Sequence, residues 1–154
     1  MIKSIKGDLL RQDSGVICHQ TNYYGVMGGG IAYAIQRDLL TPEQYSEYEK
    51  YCKLHGRGAL GTVQFIRLND GRYLANMFSQ DDVSEKSVLT DYGAFRDAAE
   101  KVQQFAKKHN LTVAFPGYIG CGIAGGNWGI VSDILDDIFS GSKVECTIVY
   151  KGSF

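Results

Sequence analysis

Leu111-Thr112-Val113-Ala114-Phe115-Pro116-Gly117-Tyr118-Ile119-Gly120-Cys121-Gly122-Ile123-Ala124-Gly125-Gly126-Asn127-Trp128 is the stretch whose reading decides the fold. It opens as an uncharged run rich in β-branched and aromatic residues. It then breaks into five glycines between positions 117 and 126 and leads into Val131, Ile134, Leu135 and Ile138 at helical spacing. The order is strand, glycine loop, helix. Such a loop presents consecutive backbone N–H groups, and the helix after it adds unpaired N–H groups and a positive dipole end, which together suit a phosphate. The same glycines would also serve a plain tight turn, and one loop does not choose between the two.

A second unit of the same kind lies upstream. Gly15-Val16-Ile17-Cys18-His19-Gln20 is a short strand with an apolar middle, as in a sheet covered on both faces. It runs through Thr21-Asn22-Tyr23-Tyr24-Gly25-Val26-Met27-Gly28-Gly29-Gly30 into a helical segment from Ile31. Ile2 to Lys6 alternates as a half-buried strand and is closed by Gly7-Asp8. Thr41-Pro42-Glu43-Gln44 carries a capping-box pattern with proline at the first helical position. Tyr45, Tyr48, Tyr51 and Cys52 follow on one face, which reads as core packing rather than a platform for stacked bases. Gly61–Ile66 and Tyr73–Phe78 read as strands joined by the hairpin signal Asn69-Asp70-Gly71.

Ser79 to Ser87 reads as a polar surface loop, and Val88 to Asn110 as the longest helix. Tyr92, Phe95, Ala99, Val102, Phe105 and Ala106 form its apolar face, and Asn110 suits its C-cap. Val144 to Tyr150 is a final strand. Alternating strands and helices with one hairpin predict a three-layer α/β/α domain with a mixed, mostly parallel central sheet, spanning 1–154 as one domain. In such sheets ligands sit at the carboxyl ends of strands, where both glycine loops emerge, so the two loops can share one diphosphate.

Composition narrows the partners. The 154 residues carry a formal net charge of −1 with 44% hydrophobic residues, which gives one core and no electrostatic grip on duplex nucleic acid. Cys18, Cys52, Cys121 and Cys146 are widely spaced, and the three histidines do not complete a zinc pattern. Reduced thiols in the cytoplasm, no metal, no cofactor and no membrane span are the expectations.

At this point the sequence resembles a macro domain, the ADP-ribose-binding fold. Lys6-Gly7-Asp8-Leu9 resembles the family's opening motif, Gly25-Val26-Met27-Gly28-Gly29-Gly30-Ile31 its first ligand loop, and Ile119 to Trp128 its second. The short form, with Gly-Arg-Tyr at 71 to 73 and Gly-Cys-Gly before the last helix, is most similar to the subgroup of terminal ADP-ribose glycohydrolases and DNA ADP-ribosyl glycohydrolase antitoxins.

The resemblance implies Asp8 at the adenine amino group, with the Leu9 backbone beside it. It implies Gly28, Gly29, Gly30 and Ile31 on one side of the diphosphate, Gly120, Cys121, Gly122, Ile123 and Ala124 on the other, and Asn22 near the distal ribose. Read without it, Asp8 is a turn or cap residue. Cys121 is a packing residue before it is a nucleophile, His19 a satisfied buried histidine, and Trp128 a residue packed under the loop.

The resemblance also marks departures. The subgroup's adduct-forming lysine corresponds to Gln80, and its resolving acid to Ala124. The Asp that other hydrolytic members carry is replaced by Ala32, and Gln36-Arg37-Asp38 stands where paired glutamates would be sought. An amide is a poor nucleophile and alanine moves no proton. The expected function is binding of ADP-ribose, an ADP-ribosyl mark or a free ADP-ribose-derived nucleotide signal of the sort used in bacterial immunity, as a reader or sequestering module, without hydrolysis. The alternative is an ADP-ribosyl hydrolase using groups such as Asp81, Asp82 or Asp91, or substrate-assisted attack by water. Tyr23, Tyr24 and Tyr33, near the first loop, would shape a pocket for something larger than ribose, which favours a derivatised nucleotide. A generic nucleotide-binding domain is disfavoured by the absence of G-x-x-x-x-G-K-[ST] and of G-x-G-x-x-G with its distal acid.

Overall fold

The computed structural model describes residues 1–82 and 88–151. Six strands form one sheet: β1 (Ile2–Gly7), β2 (Val16–Thr21), β3 (Val63–Arg67), β4 (Tyr73–Phe78), β5 (Val113–Pro116) and β6 (Cys146–Lys151). Their spatial order is β1-β6-β5-β2-β4-β3, parallel throughout except for the β3–β4 hairpin. The helices are α1 (Gly30–Asp38), α2 (Pro42–His55), α3 (Tyr92–His109) and α4 (Trp128–Phe139).

Two apolar layers enclose the sheet. Val16, Cys18, Ala75, Met77 and Phe115 meet Phe95 and Val102 of α3 and Val131 and Leu135 of α4 on one face. Ile17, Leu74 and Phe78 meet Ile35 of α1 and Tyr48 and Cys52 of α2 on the other. Burial on both faces explains the almost continuous apolar runs of β2, β4 and β5. The three-layer α/β/α class is therefore the observed one.

Local signals behave as their chemistry requires. Thr41 Oγ1 accepts from Gln44 N at 3.1 Å while Gln44 Oε1 accepts from Thr41 N at 2.9 Å, completing the capping box. Asn110 closes α3 in the left-handed region at φ 54°. The tyrosine stripe packs as core: Tyr48 is fully buried and Tyr51 stacks on Phe78 at 5.0 Å.

Two expectations are corrected. The helix expected from Val88 starts at Tyr92, because Asp91 caps it through Ala94 N at 2.9 Å. Leu89 N and Thr90 N meanwhile donate to Ala124 O at 2.7 and 3.4 Å, and Thr90 pairs antiparallel with Gln80, so the segment runs extended into the cap. The surface loop expected over Ser79 to Ser87 is not one at its start, since Ser79 and Asp81 are buried; its remainder, 83–87, lies outside the described residues. No helix among the described residues is long and apolar enough to cross a membrane.

Candidate functional site

The first glycine loop leaves the carboxyl end of β2 and the second that of β5, and these strands are parallel neighbours. The two loops therefore rise side by side. A methyl group built on Gly29 would lie 3.8 Å from Ile123 Cδ1, an ordinary contact distance, so the first loop at Gly29 and the second at Ile123 approach one another. Gly28, Gly29 and Gly30 are exposed, as are Gly122 and Ile123, the last at 88%.

The first loop is built largely by its own side chains and by α2. Asn22 Nδ2 donates to Val26 O at 3.0 Å, and Asn22 Oδ1 accepts from Tyr24 N at 3.0 Å. Asn22, expected beside the distal ribose, thus has its amide engaged in shaping the loop. Tyr48 Oη donates to Asn22 O at 2.9 Å, and Tyr45 Oη donates to Gly25 O at 3.1 Å while accepting from Met27 N at 3.2 Å. The helix face seen in the sequence as core packing also braces the loop, through hydroxyl contacts that spacing does not signal. Tyr23 and Tyr24 line a cavity of about 370 Å³ with Gly25, Glu49, Cys52 and Lys53, and Tyr33 takes no part in lining it.

The second loop rests on a polar floor. Thr90 Oγ1 donates to Gly120 O at 2.6 Å and accepts from Gln20 Nε2 at 3.2 Å, and Ser79 Oγ donates to Gln20 Oε1 at 2.7 Å. Gly120 sits at φ +75° with Thr90 Oγ1 and Gln20 Oε1 each 3.0 Å from the place a Cβ would take, so the position admits little but glycine. Ala124 is buried and directs its carbonyl to the 88–90 segment. Cys121 lies seven residues before the first residue of α4 and donates its thiol to Ile119 O at 3.3 Å; partial burial raises its pKa, which does not favour a nucleophilic thiolate. Trp128 packs against Tyr118 and Tyr150, at 5.5 and 6.1 Å between ring centroids.

Asp8 stands at the carboxyl end of β1, exposed, and its Oδ1 accepts from Leu10 N at 3.0 Å as the cap of a 3-10 turn over Leu9–Arg11. Leu9 itself is buried. The carboxylates weighed for catalysis all have partners. Asp81 accepts from Tyr23 Oη and Arg57 Nη2, Asp82 from Gln80 Nε2, and Asp91 from Ala94 N. Gln80 follows β4 by two residues and bridges to Thr90. Among the described residues no group of three His, Cys, Asp or Glu side chains could hold a metal ion, and all four cysteines are free thiols.

His19 lies beneath this region, fully buried, with Nε2 2.6 Å from Asn76 Oδ1. Asn76 Nδ2 donates onward to Gln64 Oε1 at 3.1 Å, so its oxygen is left to accept the His19 Nε2 proton. Nδ1 then has no partner among the described residues, so the expected satisfied histidine is satisfied on one side only there. Burial lowers its pKa from 6.5 to about 4, against the opposing effect of Asn76. The unfolded chain therefore binds the proton more readily. Stability is complete above about pH 6.5 and is expected to fall by about 2–3 kcal/mol as pH drops to 4. Urea titrations of the unaltered protein and His19→Gln across that range should show this slope only in the former.

No family model matches the chain. It is 31% identical to a protein of unknown function from Bacteroides thetaiotaomicron, covering 99% of this chain and 98% of that one at a TM-score of 0.85. It is 28% identical to the macrodomain of Mycobacterium tuberculosis DarG, covering 99% of each chain at a TM-score of 0.80. This chain is a macrodomain. Within the family it falls with the subgroup containing the DNA ADP-ribosyl glycohydrolases. To the protein of that name from Mycobacterium tuberculosis it is 28% identical over 99% of its own length. The macrodomain spans only 43% of that relative.

Proposed function

We propose that this macrodomain binds ADP-ribose, or a nucleotide derived from it, in the cleft between its two glycine loops and releases it unchanged. The observation that supports this reading is the approach of Gly29 to Ile123, which brings two glycine loops at the carboxyl end of the sheet within reach of one ligand. In this reading Gly28, Gly29, Gly30 and Ile31 hold one side and Gly120, Cys121, Gly122, Ile123 and Ala124 the other. Asp8 and the Leu9 backbone receive the adenine at the carboxyl end of β1, and Asn22 shapes the distal-ribose end. The name of the Mycobacterium tuberculosis relative, a DNA ADP-ribosyl glycohydrolase, supports an ADP-ribosyl ligand.

Absence of hydrolysis is supported by the side chains. Gln80 and Ala124 stand where the resemblance expects the lysine and the acid, and Asp81 and Asp91 are engaged in holding structure. The second reading, an ADP-ribosyl glycohydrolase, is favoured by the names of the relatives. Asp82 is the carboxylate it would draw on, being partly exposed and bonded among the described residues to the Gln80 amide.

Calorimetry with ADP-ribose is expected to give a binary complex, weakened about tenfold by Asp8→Ala through loss of one charge-assisted hydrogen bond. Incubation with ADP-ribosylated protein and with ADP-ribosylated DNA is expected to release no ADP-ribose. Sustained multiple-turnover release that Asp82→Asn abolishes would establish the second reading instead.

A further inference from the structure

Asp81 is 6% exposed and lies between the two loops without belonging to either. Its Oδ1 accepts from Tyr23 Oη at 2.6 Å, which reaches the first glycine loop. Its Oδ2 accepts from Arg57 Nη2 at 2.8 Å, which reaches the 3-10 turn Gly56–Ala59 at the end of α2. Its backbone N donates to Leu89 O at 2.8 Å, and Leu89 N donates to Ala124 O at 2.7 Å in the second loop. The adjacent Gln80–Thr90 bridge continues to Gly120 O through Thr90 Oγ1. A series of short hydrogen bonds thus joins Tyr23 in one loop to Ala124 and Gly120 in the other: the buried Asp81 carboxylate holds Tyr23 and Arg57, and the Asp81 backbone and the Gln80–Thr90 bridge carry the link to the second loop.

A buried carboxylate is stable only when its charge is met, and here a guanidinium and a phenol meet it. Burial and the neighbouring carboxylate both raise the Tyr23 pKa, so the phenol keeps the proton it donates. Charge-assisted bonds of this length are among the stiffer noncovalent links a protein can make. Rigidity between two anion-binding loops matters because a diphosphate is recognised only when both sets of amides are at the right separation.

We propose that Asp81 is a positioning residue that sets the gap between the two glycine loops, so that diphosphate recognition depends on a carboxylate that never touches the ligand. The inference rests on the ADP-ribose reading above. Its signature is selectivity between ligands. ADP-ribose needs both loops across its diphosphate, whereas AMP needs the adenine end and a single phosphate contact.

The test is calorimetry with ADP-ribose and AMP on the unaltered protein, Tyr23→Phe, Asp81→Ala and the double variant. Loss of bonds to a charged acceptor should lower ADP-ribose affinity about fivefold in Tyr23→Phe and at least about tenfold in Asp81→Ala. AMP affinity should stay within about twofold, since the adenine end is untouched, and the double variant should be no weaker than Asp81→Ala, since both changes break one network.

Binding by the unaltered protein with ADP-ribose affinity unchanged in both single variants overturns the inference and leaves the functional reading standing. So does equal loss of AMP and ADP-ribose affinity, or full additivity in the double variant. Absence of ADP-ribose binding by the unaltered protein overturns the functional reading and this inference with it. Should Asp81→Ala fail to fold, Tyr23→Phe decides alone, since it removes a single oxygen from a ring that stays in place.

Discussion

Alanine at Gly126 is expected to lower ADP-ribose affinity about a hundredfold, because displacement of a binding loop by an ångström is enough for such a loss. A Cβ at this position would stand 2.5 Å from Gly120 O and 3.2 Å from Thr90 Oγ1. The first neighbour is backbone and cannot swing aside. Gly126 N also donates to Gly120 O at 2.9 Å, so the close approach that the methyl would forbid is the one that folds the loop back on itself. Relieving the contact must move the Gly120 carbonyl and with it the amides of Gly120, Cys121 and Gly122. The strain should lower stability by about 2 kcal/mol, within the range for backbone conflicts at special positions. Calorimetry with ADP-ribose and urea denaturation check the two parts separately; retention of affinity within about threefold would mean that the amides of residues 120–122 do not hold the diphosphate.

Phe115→Ala is expected to destabilise the domain by about 3–5 kcal/mol, the range for removing a buried aromatic ring. Phe115 is fully buried in β5, edge-on to Phe139 of α4 at 5.5 Å, and packed among Val131 and Leu135. Its ring fills the space between the sheet and the helix that follows the second loop. Since small domains hold about 5–15 kcal/mol in all, the variant should be close to its stability threshold at 37 °C. A lowered urea midpoint with an unchanged denaturant slope would show that stability, rather than the unfolded state, has changed. The same residue ties stability to the site, because β5 and α4 are the two ends from which the second loop is held.

What the sequence makes legible is local. Thr41 to Gln44 announces its capping box in four residues, and Tyr73–Phe78 is a strand at the predicted residues because apolar content and the turn at Asn69-Asp70-Gly71 bound it on the near side. The two glycine loops are legible as loops, and their shared end of the sheet follows from strand order. Asp81 is different. In a run of Gln, Asp and Ser it reads as solvated, and its partners Tyr23 and Arg57 lie 58 and 24 residues away, so nothing within reach of a sequence window marks it as buried. Val88 to Thr90 misleads for a related reason. Apolar spacing continues the helix backward, but Thr90 pairs with Gln80 and Asp91 stays extended as the cap, tertiary pairing that outweighs propensity. The tyrosines of α2 show both sides: their burial follows from periodicity, while the carbonyls their hydroxyls seek do not.

The sheet begins and ends its sequence at the same edge. β1 pairs with β6, Ile2 beside Cys146 through Gly7 beside Lys151, and β6 alone among the described strands neighbours it. During synthesis β1 must wait unpaired until β6 has been made, while β2, β4 and β3 can already assemble. Closing the edge that carries Asp8 requires joining Ile2 to Cys146, far apart in sequence, the costliest kind of contact for folding speed. A chain interrupted before residue 146 would keep its hairpin and its first glycine loop yet leave Asp8 on a strand with nothing to lie against.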